Sequence, residues 1–322
     1  MDLVSLYYFN ELAKDLNVTK TAARLFISQQ TLSNHIMRVE QEFKAKLFYR
    51  KPKLTLTDAG REMLNFSQEV LSKRQQFENK LTDIEEEQRG HIRFGATYLN
   101  SRTCLPSVLP TFSKEYPHVS IELVEYTSAR LQQLLLKSEV DIALSVLNDG
   151  LPSLKSTLIM EDKVYLCISE KLLKQYYGNK RQELKEKALL GAHVHDFKEI
   201  PFSIVAPPNI LGESISKCFE EADFTPQIYF TSTSVGLTST ICSNALSACF
   251  ISQTNLNNGL ASMAKDINIF PLFYKGKQVY HKRYLVHHAK QYMTKYMLRF
   301  EELIAESFAN IGANDLTRIV KR

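Results

Sequence analysis

The chain has 322 residues, 44% of them hydrophobic and 23% charged, with a net charge of +5. That composition describes an ordinary globular protein with enough chain for two or more cores. No apolar run reaches the roughly 18 residues that cross a bilayer, which excludes a helical membrane span.

The opening MDLVSLYYFNELAK has no basic leader and no small-residue cleavage site, so a cytoplasmic location without a secretion signal is expected. The five cysteines (Cys104, Cys167, Cys218, Cys242, Cys249) are scattered without CxxC spacing. They fit a reducing compartment rather than a disulfide frame or a zinc site. Cys104, near an expected helix start, is the one thiol to test for redox chemistry. Residues 1–61 hold ten Lys and Arg against six Asp and Glu, the densest basic excess in the chain. Such an excess is compatible with a phosphate backbone as partner.

In residues 3–16, Leu3, Leu6, Tyr7, Leu12, Ala13 and Leu16 share one helical face. Asn17-Val18-Thr19 breaks the helix, and Thr19 is placed to cap a second one running to about Leu25. Ala22 and Ala23 are small enough for a close crossing. Phe26-Ile27 makes a turn, and Ser28 can cap a third helix whose stripe is Leu32, Ile36, Val39 and Phe43. Two short helices joined by a tight turn and packed on another form a helix-turn-helix. The outward face of the third helix carries Gln29, Gln30, Thr31, Ser33 and Asn34. These uncharged groups are mediocre for helix stability. They suit base edges and phosphates in a major groove.

Leu47-Phe48-Tyr49 and Leu54-Thr55-Leu56 read as two short strands around the basic turn Arg50-Lys51-Pro52-Lys53. A basic hairpin there is a wing suited to phosphate or minor-groove contact. Ser28, Arg38, Arg50, Lys51 and Lys53 are the expected phosphate contacts. Thr57 then caps a helix of about eight turns, in which Met63, Val70, Phe77 and Ile84 recur every seven residues. The spacing is that of a two-stranded coiled coil, with Lys73 and Lys80 interrupting the seam. Beyond Gly90, short β-rich runs such as HIRFGAT, VSIELVE, VDIALSV and KVYLCIS alternate with helical stretches. Alternation of this kind predicts parallel α/β sheets.

Four segments, MDLVSLYYF, TKTAARLFISQQTLSNHI, VEQEFKAKLFYR and LTLTDAGREML, resemble the head of the LysR-type transcriptional regulators. Gln30 stands where that family often has Pro, and Asn34 and His35 where Arg and Gln are common, changes expected on the reading face. The resemblance implies an N-terminal all-α winged helix-turn-helix at 1–58 and a linker and dimerisation helix at 59–90. An α/β two-subdomain effector domain resembling a type 2 periplasmic binding protein follows at 91–305. Its subdomain I comprises 91–163 and 268–305, subdomain II comprises 164–267, and 306–322 is a C-terminal tail. It also implies promoter DNA, a small effector, a homodimer or homotetramer, and RNA polymerase as partners.

Ligands of such sheets bind at strand C-terminal ends against helix N-termini. Thr97, Asn100 and Ser101 follow the first strand of this region, Thr127 and Ser128 the second, and Pro207 and Asn209 a strand of the other subdomain, as do Ser232, Thr233 and Ser234. Thr97, Ser101 and Ser128 match positions the family uses for effector contact. A polar or anionic effector is expected there, with Arg130 a lesser candidate for holding it. In CSNALSACFIS, Asn244 and Ser247 stand where the family has glycines. No GxSxG, P-loop, GxGxxG or HExxH pattern occurs, so neither an enzyme nor a cofactor is expected. His193-Val194-His195-Asp196 resembles a metal cluster, but its apolar setting favours a structural role. A solute-binding protein would share the C-terminal fold but would lack the head.

Overall fold

The computed structural model describes residues 2–84, 89–145, 150–207, 209–222, 224–233, 235–259 and 263–320. Helix α1 (Leu3–Asp15) starts on Asp2, whose carboxylate accepts from the Ser5 amide at 2.6 Å. It ends where Leu16 turns left-handed at φ 48°. Helix α2 (Val18–Arg24) therefore restarts early, and its cap is Asn17, not the expected Thr19. Helix α3 (Gln29–Glu42) is capped by Ser28. Strands β1 (Phe48–Tyr49) and β2 (Thr55–Leu56) pair antiparallel around the basic turn. Leu6, Phe9, Leu12, Ala22, Leu32, Ile36, Val39 and Phe48 form one buried cluster, with the Phe9 and Phe48 rings 5.4 Å apart. Each such side chain contributes about 1.5–3 kcal/mol by leaving water.

Helix α4 (Asp58–Ile84) begins on Thr57, whose hydroxyl accepts from the Gly60 amide at 2.9 Å. Gly60 is required by proximity, since a Cβ there would sit 2.0 Å from the Leu47 carbonyl oxygen. The seven-residue seam divides along its length. Met63 is buried in the head core, and Val70 packs partly against it. Phe66, Phe77 and Leu81 are exposed at 44%, 60% and 42%. The side chain of Ile84 lies outside the described residues. Met63 and Val70 of the expected coiled-coil stripe thus serve the chain's own head, while Phe66, Phe77 and Leu81 stay open.

The remainder alternates β3 (Arg89–Ala96), α5 (Tyr98–Glu115), β4 (His118–Glu125), α6 (Ser128–Leu136), β5 (Ile142–Ser145), β6 (Leu154–Ser169), α7 (Glu170–Tyr177), α8 (Arg181–Leu190) and β7 (Phe202–Val205). Then come α9 (Ile210–Glu221), β8 (Ile228–Ser232), α10 (Val235–Ser243), β9 (Ala248–Ser252), α11 (Gln253–Gly259) and β10 (Ile267–Pro271). The short pair β11 (Phe273–Tyr274) and β12 (Lys277–Gln278) precedes β13 (Tyr280–His288) and α12 (Lys295–Gly312). The order β4-β3-β5-β13-β6 makes one sheet, and β10, β9, β7 and β8 make a second on the far half of β6. β6 is long enough to serve both, pairing with β13 through Leu154–Lys163 and with β9 and β10 beyond Val164.

The sheets are mixed, not wholly parallel as expected. β3, β4 and β5 run parallel, as do β7, β8 and β9, while β6, β10 and β13 pair antiparallel. The return crossing expected at 268 comes later: Asn268 pairs with Ile168 in the second sheet, and the chain crosses back only into β13. Nor is 306–322 a free tail. Phe308 and Ile311 are buried on α12, and Arg318 bridges Ile269. The Val320 amide donates to Asn268 Oδ1 at 2.9 Å.

Candidate DNA-reading face and effector cleft

The start of α3 presents Ser28, Gln29, Gln30, Thr31 and Asn34 to solvent, with Ser33 half-exposed. Ser28 Oγ accepts from the Thr31 amide at 3.0 Å and lies 2.8 Å from Thr31 Oγ1, so this hydroxyl pair fixes the helix entry. His35 does not belong to the face. Its ring packs edge-on to Tyr8 at 4.8 Å and Nδ1 meets Ser5 Oγ at 2.8 Å, so it joins α3 to α1.

The cations divide into two groups. Arg24 is committed inward: Nε donates to Asp15 Oδ2 at 2.9 Å and Nη1 to Glu11. Arg24 holds the Asp15 carboxyl down to about 2, against its desolvation, with Lys20 helping. Arg38, Arg50, Lys51 and Lys53 are exposed. Arg50 has only a 4.0 Å contact to buried Glu40, and Lys51 and Lys53 have no ion pair among the described residues. Exposed cations near an uncharged face suit phosphates that flank a base-reading helix.

In the first sheet, Ala96 pairs with Glu125, so the N-termini of α5 and α6 emerge side by side. Thr97 caps α5, accepting from the Asn100 amide at 3.4 Å. Thr127 is exposed and makes no side-chain cap bond, which leaves the first amides of α6 free. Ser128 beside it is buried. Ser101 is also buried; its hydroxyl donates to the Tyr98 carbonyl at 3.0 Å and sits 2.5 Å from Glu125 Oε1. Asn100 is turned away from solvent, and its Oδ1 accepts from Arg283 Nη1. Arg130 is exposed and donates to Gln133 Oε1 at 2.9 Å, an ordinary helix-surface contact. Pro207 is exposed at the end of β7 in the other sheet. Asn209 there is the cap of α9, accepting from the Leu211 amide at 2.9 Å. Ser232 ends β8 and Thr233 is exposed, while Ser234 lies outside the described residues.

Sequence reasoning missed a buried network under this site. Arg283 Nε donates to Asp162 Oδ2 at 3.0 Å, and Asp162 Oδ1 accepts from the Thr254 amide at 2.8 Å. Both charged residues are buried, at 5% and 0% exposure. One cluster therefore joins the start of α5, both crossing strands and the start of α11. The Arg283-Tyr284-Leu285-Val286 run of β13 was the available signal, a charge inside an apolar strand.

Three other expectations resolve structurally. Cys104 is buried and its thiol is pushed up to about 12 by that burial, so it is not a reactive thiolate. Asp196 pairs with Lys187 at 2.7 Å, and no metal-holding group of His, Cys, Asp or Glu occurs among the described residues. The left-handed turn after α10 falls on Ala245, φ 57°, while Asn244 only extends the helix; Ser247 is buried 2.5 Å from Ser203 Oγ.

Two family profiles match. "Bacterial regulatory helix-turn-helix protein, lysR family" covers residues 3–61, and "LysR substrate binding domain" covers 85–309. The chain belongs to the LysR family. A Bacillus subtilis regulator named YkuM is 30% identical over 171 residues, 53% of this chain and 58% of that protein. The transcriptional activator IlvY of Haemophilus influenzae is 34% identical over 154 residues, 48% of this chain and 53% of that protein. These alignments thus span little more than half of each relative. Full-length LysR-family structures share the whole fold. A full-length OxyR variant from Pseudomonas aeruginosa superposes with TM-score 0.68 at 18% identity, over 99% of this chain and 100% of that one. CbnR complexed with its target DNA gives 0.59 at 16% identity, over 95% and 100%. Among the described residues no helix is long and apolar enough to cross a membrane.

Proposed function

We propose that this protein is a cytoplasmic, ligand-responsive transcription factor, not an enzyme, that binds promoter DNA as a homodimer or homotetramer. The observation that carries the reading is the start of α3, where exposed uncharged side chains are accompanied by the exposed cations Arg38, Arg50, Lys51 and Lys53. Gln29, Gln30, Ser33 and Asn34 read base edges in the major groove, with Thr31 supporting the entry. Ser28, Arg38, Arg50, Lys51 and Lys53 hold phosphates. Residues 1–58 act as the reading head, 59–90 as the pairing arm and the α/β body as the effector sensor. RNA polymerase is the further partner through which bound DNA changes transcription.

The effector is small and polar, and it lies between Thr97, Ser101, Thr127, Ser128 and Pro207, with Asn100 acting from beneath. The Glu125 carboxylate makes the α5 side unfavourable for an anion. An anionic group instead sits on the free amides of α6, where the helix dipole favours it. Binding across the two sheets favours one hinge state, and α4 carries that bias to the heads.

Binding to preferred and scrambled duplexes over a range of salt tests the division of roles. Lys53→Ala should weaken both duplexes and lower the salt slope by about one. Gln29→Ala should cost about 1–3 kcal/mol on the preferred duplex only. Equal losses on both duplexes for both variants would refute it.

A further inference from the structure

Phe26 is 97% exposed, more than any other large apolar side chain among the described residues; Leu190 follows at 85%. Its position is fixed by the backbone. The Phe26 amide donates to the Ala23 carbonyl at 3.2 Å and the Ile27 amide to the Ala22 carbonyl at 3.0 Å, the paired bonds that close a helix end. That closure puts Phe26 at φ 55°, in the left-handed region, while Ile27 packs on the head core. Leu16 ends α1 in a similar left-handed conformation but is only 39% exposed. Among the described residues none covers the Phe26 ring, and a glycine would fit its backbone better.

We propose that the Phe26 ring packs against a thymine 5-methyl group at the edge of the half-site read by α3. The inference rests on the DNA-reading role proposed above. Phe26 lies two residues before the cap Ser28, and every side chain from Ser28 to Thr31 is exposed and uncharged. The acids Glu11 and Asp15 of α1 are taken up by Arg24 at the end of α2, so the surroundings suit DNA more than a basic protein. The apolar group that duplex DNA offers at its major-groove edge is the thymine methyl, for which Phe is a suitable partner.

The test uses the full chain and the tightest duplex it enriches from a random pool. Single thymines are replaced in turn by deoxyuridine, which deletes only the methyl. Wild type should lose roughly fourfold in affinity at one symmetry-related pair of positions, the transfer value of a buried methyl. Phe26→Gly should bind the unmodified duplex about tenfold more weakly, through loss of the ring's apolar burial. It should ignore deoxyuridine at that pair and melt no lower than wild type. Unchanged affinity in Phe26→Gly, or retained sensitivity at the same pair, would overturn the proposal. A fall in self-association with full affinity per dimer would also overturn it and assign the ring to a second copy. Failure of wild type to enrich any duplex would instead sink the DNA-reading role itself.

Discussion

Replacing Arg283 by Met keeps an unbranched apolar stem and removes the charge from the crossing strands. The buried Arg283–Asp162 pair adds little over an apolar pair of the same shape, because both ions leave water. Breaking it is a different matter. Arg283→Met leaves Asp162, with no exposure, only the Thr254 amide as partner, and strips Asn100 Oδ1 of its donor. Stranding one buried charge costs about 3–5 kcal/mol. Asp162→Asn strands the Arg283 guanidinium in turn and should cost a similar amount, although Oδ1 can still accept from Thr254. The double variant leaves no stranded charge, but Asn100 Oδ1 and the amide nitrogen placed at position 162 lack partners, an expected loss of about 1–3 kcal/mol for each. Urea unfolding of the four proteins, followed by circular dichroism, completes the cycle. A loss below about 1 kcal/mol in Arg283→Met, or strict additivity in the double variant, would show that the pair is not the buried hub described.

Three further expectations follow from single sites. Ala245→Gly relieves a left-handed residue after α10 and should stabilise the chain by about 1 kcal/mol, read as a higher urea midpoint. The Asp15 carboxyl is held at about 2 in the folded head, below its unfolded value, so its contribution is full above roughly pH 4 and is lost as pH falls toward 2. Arg24→Gln should therefore move the acid unfolding of the head to higher pH; an unchanged acid profile would contradict that pairing. Phe77→Asp puts a charge on the open half of α4, 60% exposed in the single chain, and should shift sedimentation from dimer to monomer without lowering the melting temperature.

Local chemistry was legible and long-range choice was not. Ser28 and Thr57 are caps as their patterns imply, because a cap is decided within four residues, although at α2 Asn17 takes the place expected of Thr19. The polar face of α3 follows from the 3.6-residue period, whereas the family resemblance put His35 on that face and the structure turns it toward Tyr8 and Ser5. The seam of α4 shows the same limit: a heptad marks an apolar stripe and does not say whose surface covers it, and Met63 belongs to the chain's own head. The run INIFP is a plain strand that either sheet could accept, and its pairing with Tyr165 to Ser169 is settled only in three dimensions. Asn100 looked like a ligand donor because its partner, Arg283, lies 183 residues away.

The central claim is that the head reads DNA sequence as a symmetric pair. Selection of duplexes from a random pool by the full chain, followed by footprinting of the winner, tests it most directly. The account predicts a two-fold symmetric motif with half-sites about one helical turn, roughly 10 base pairs, apart, and protection in adjacent major grooves. Enrichment of no motif, or protection independent of sequence, would contradict it.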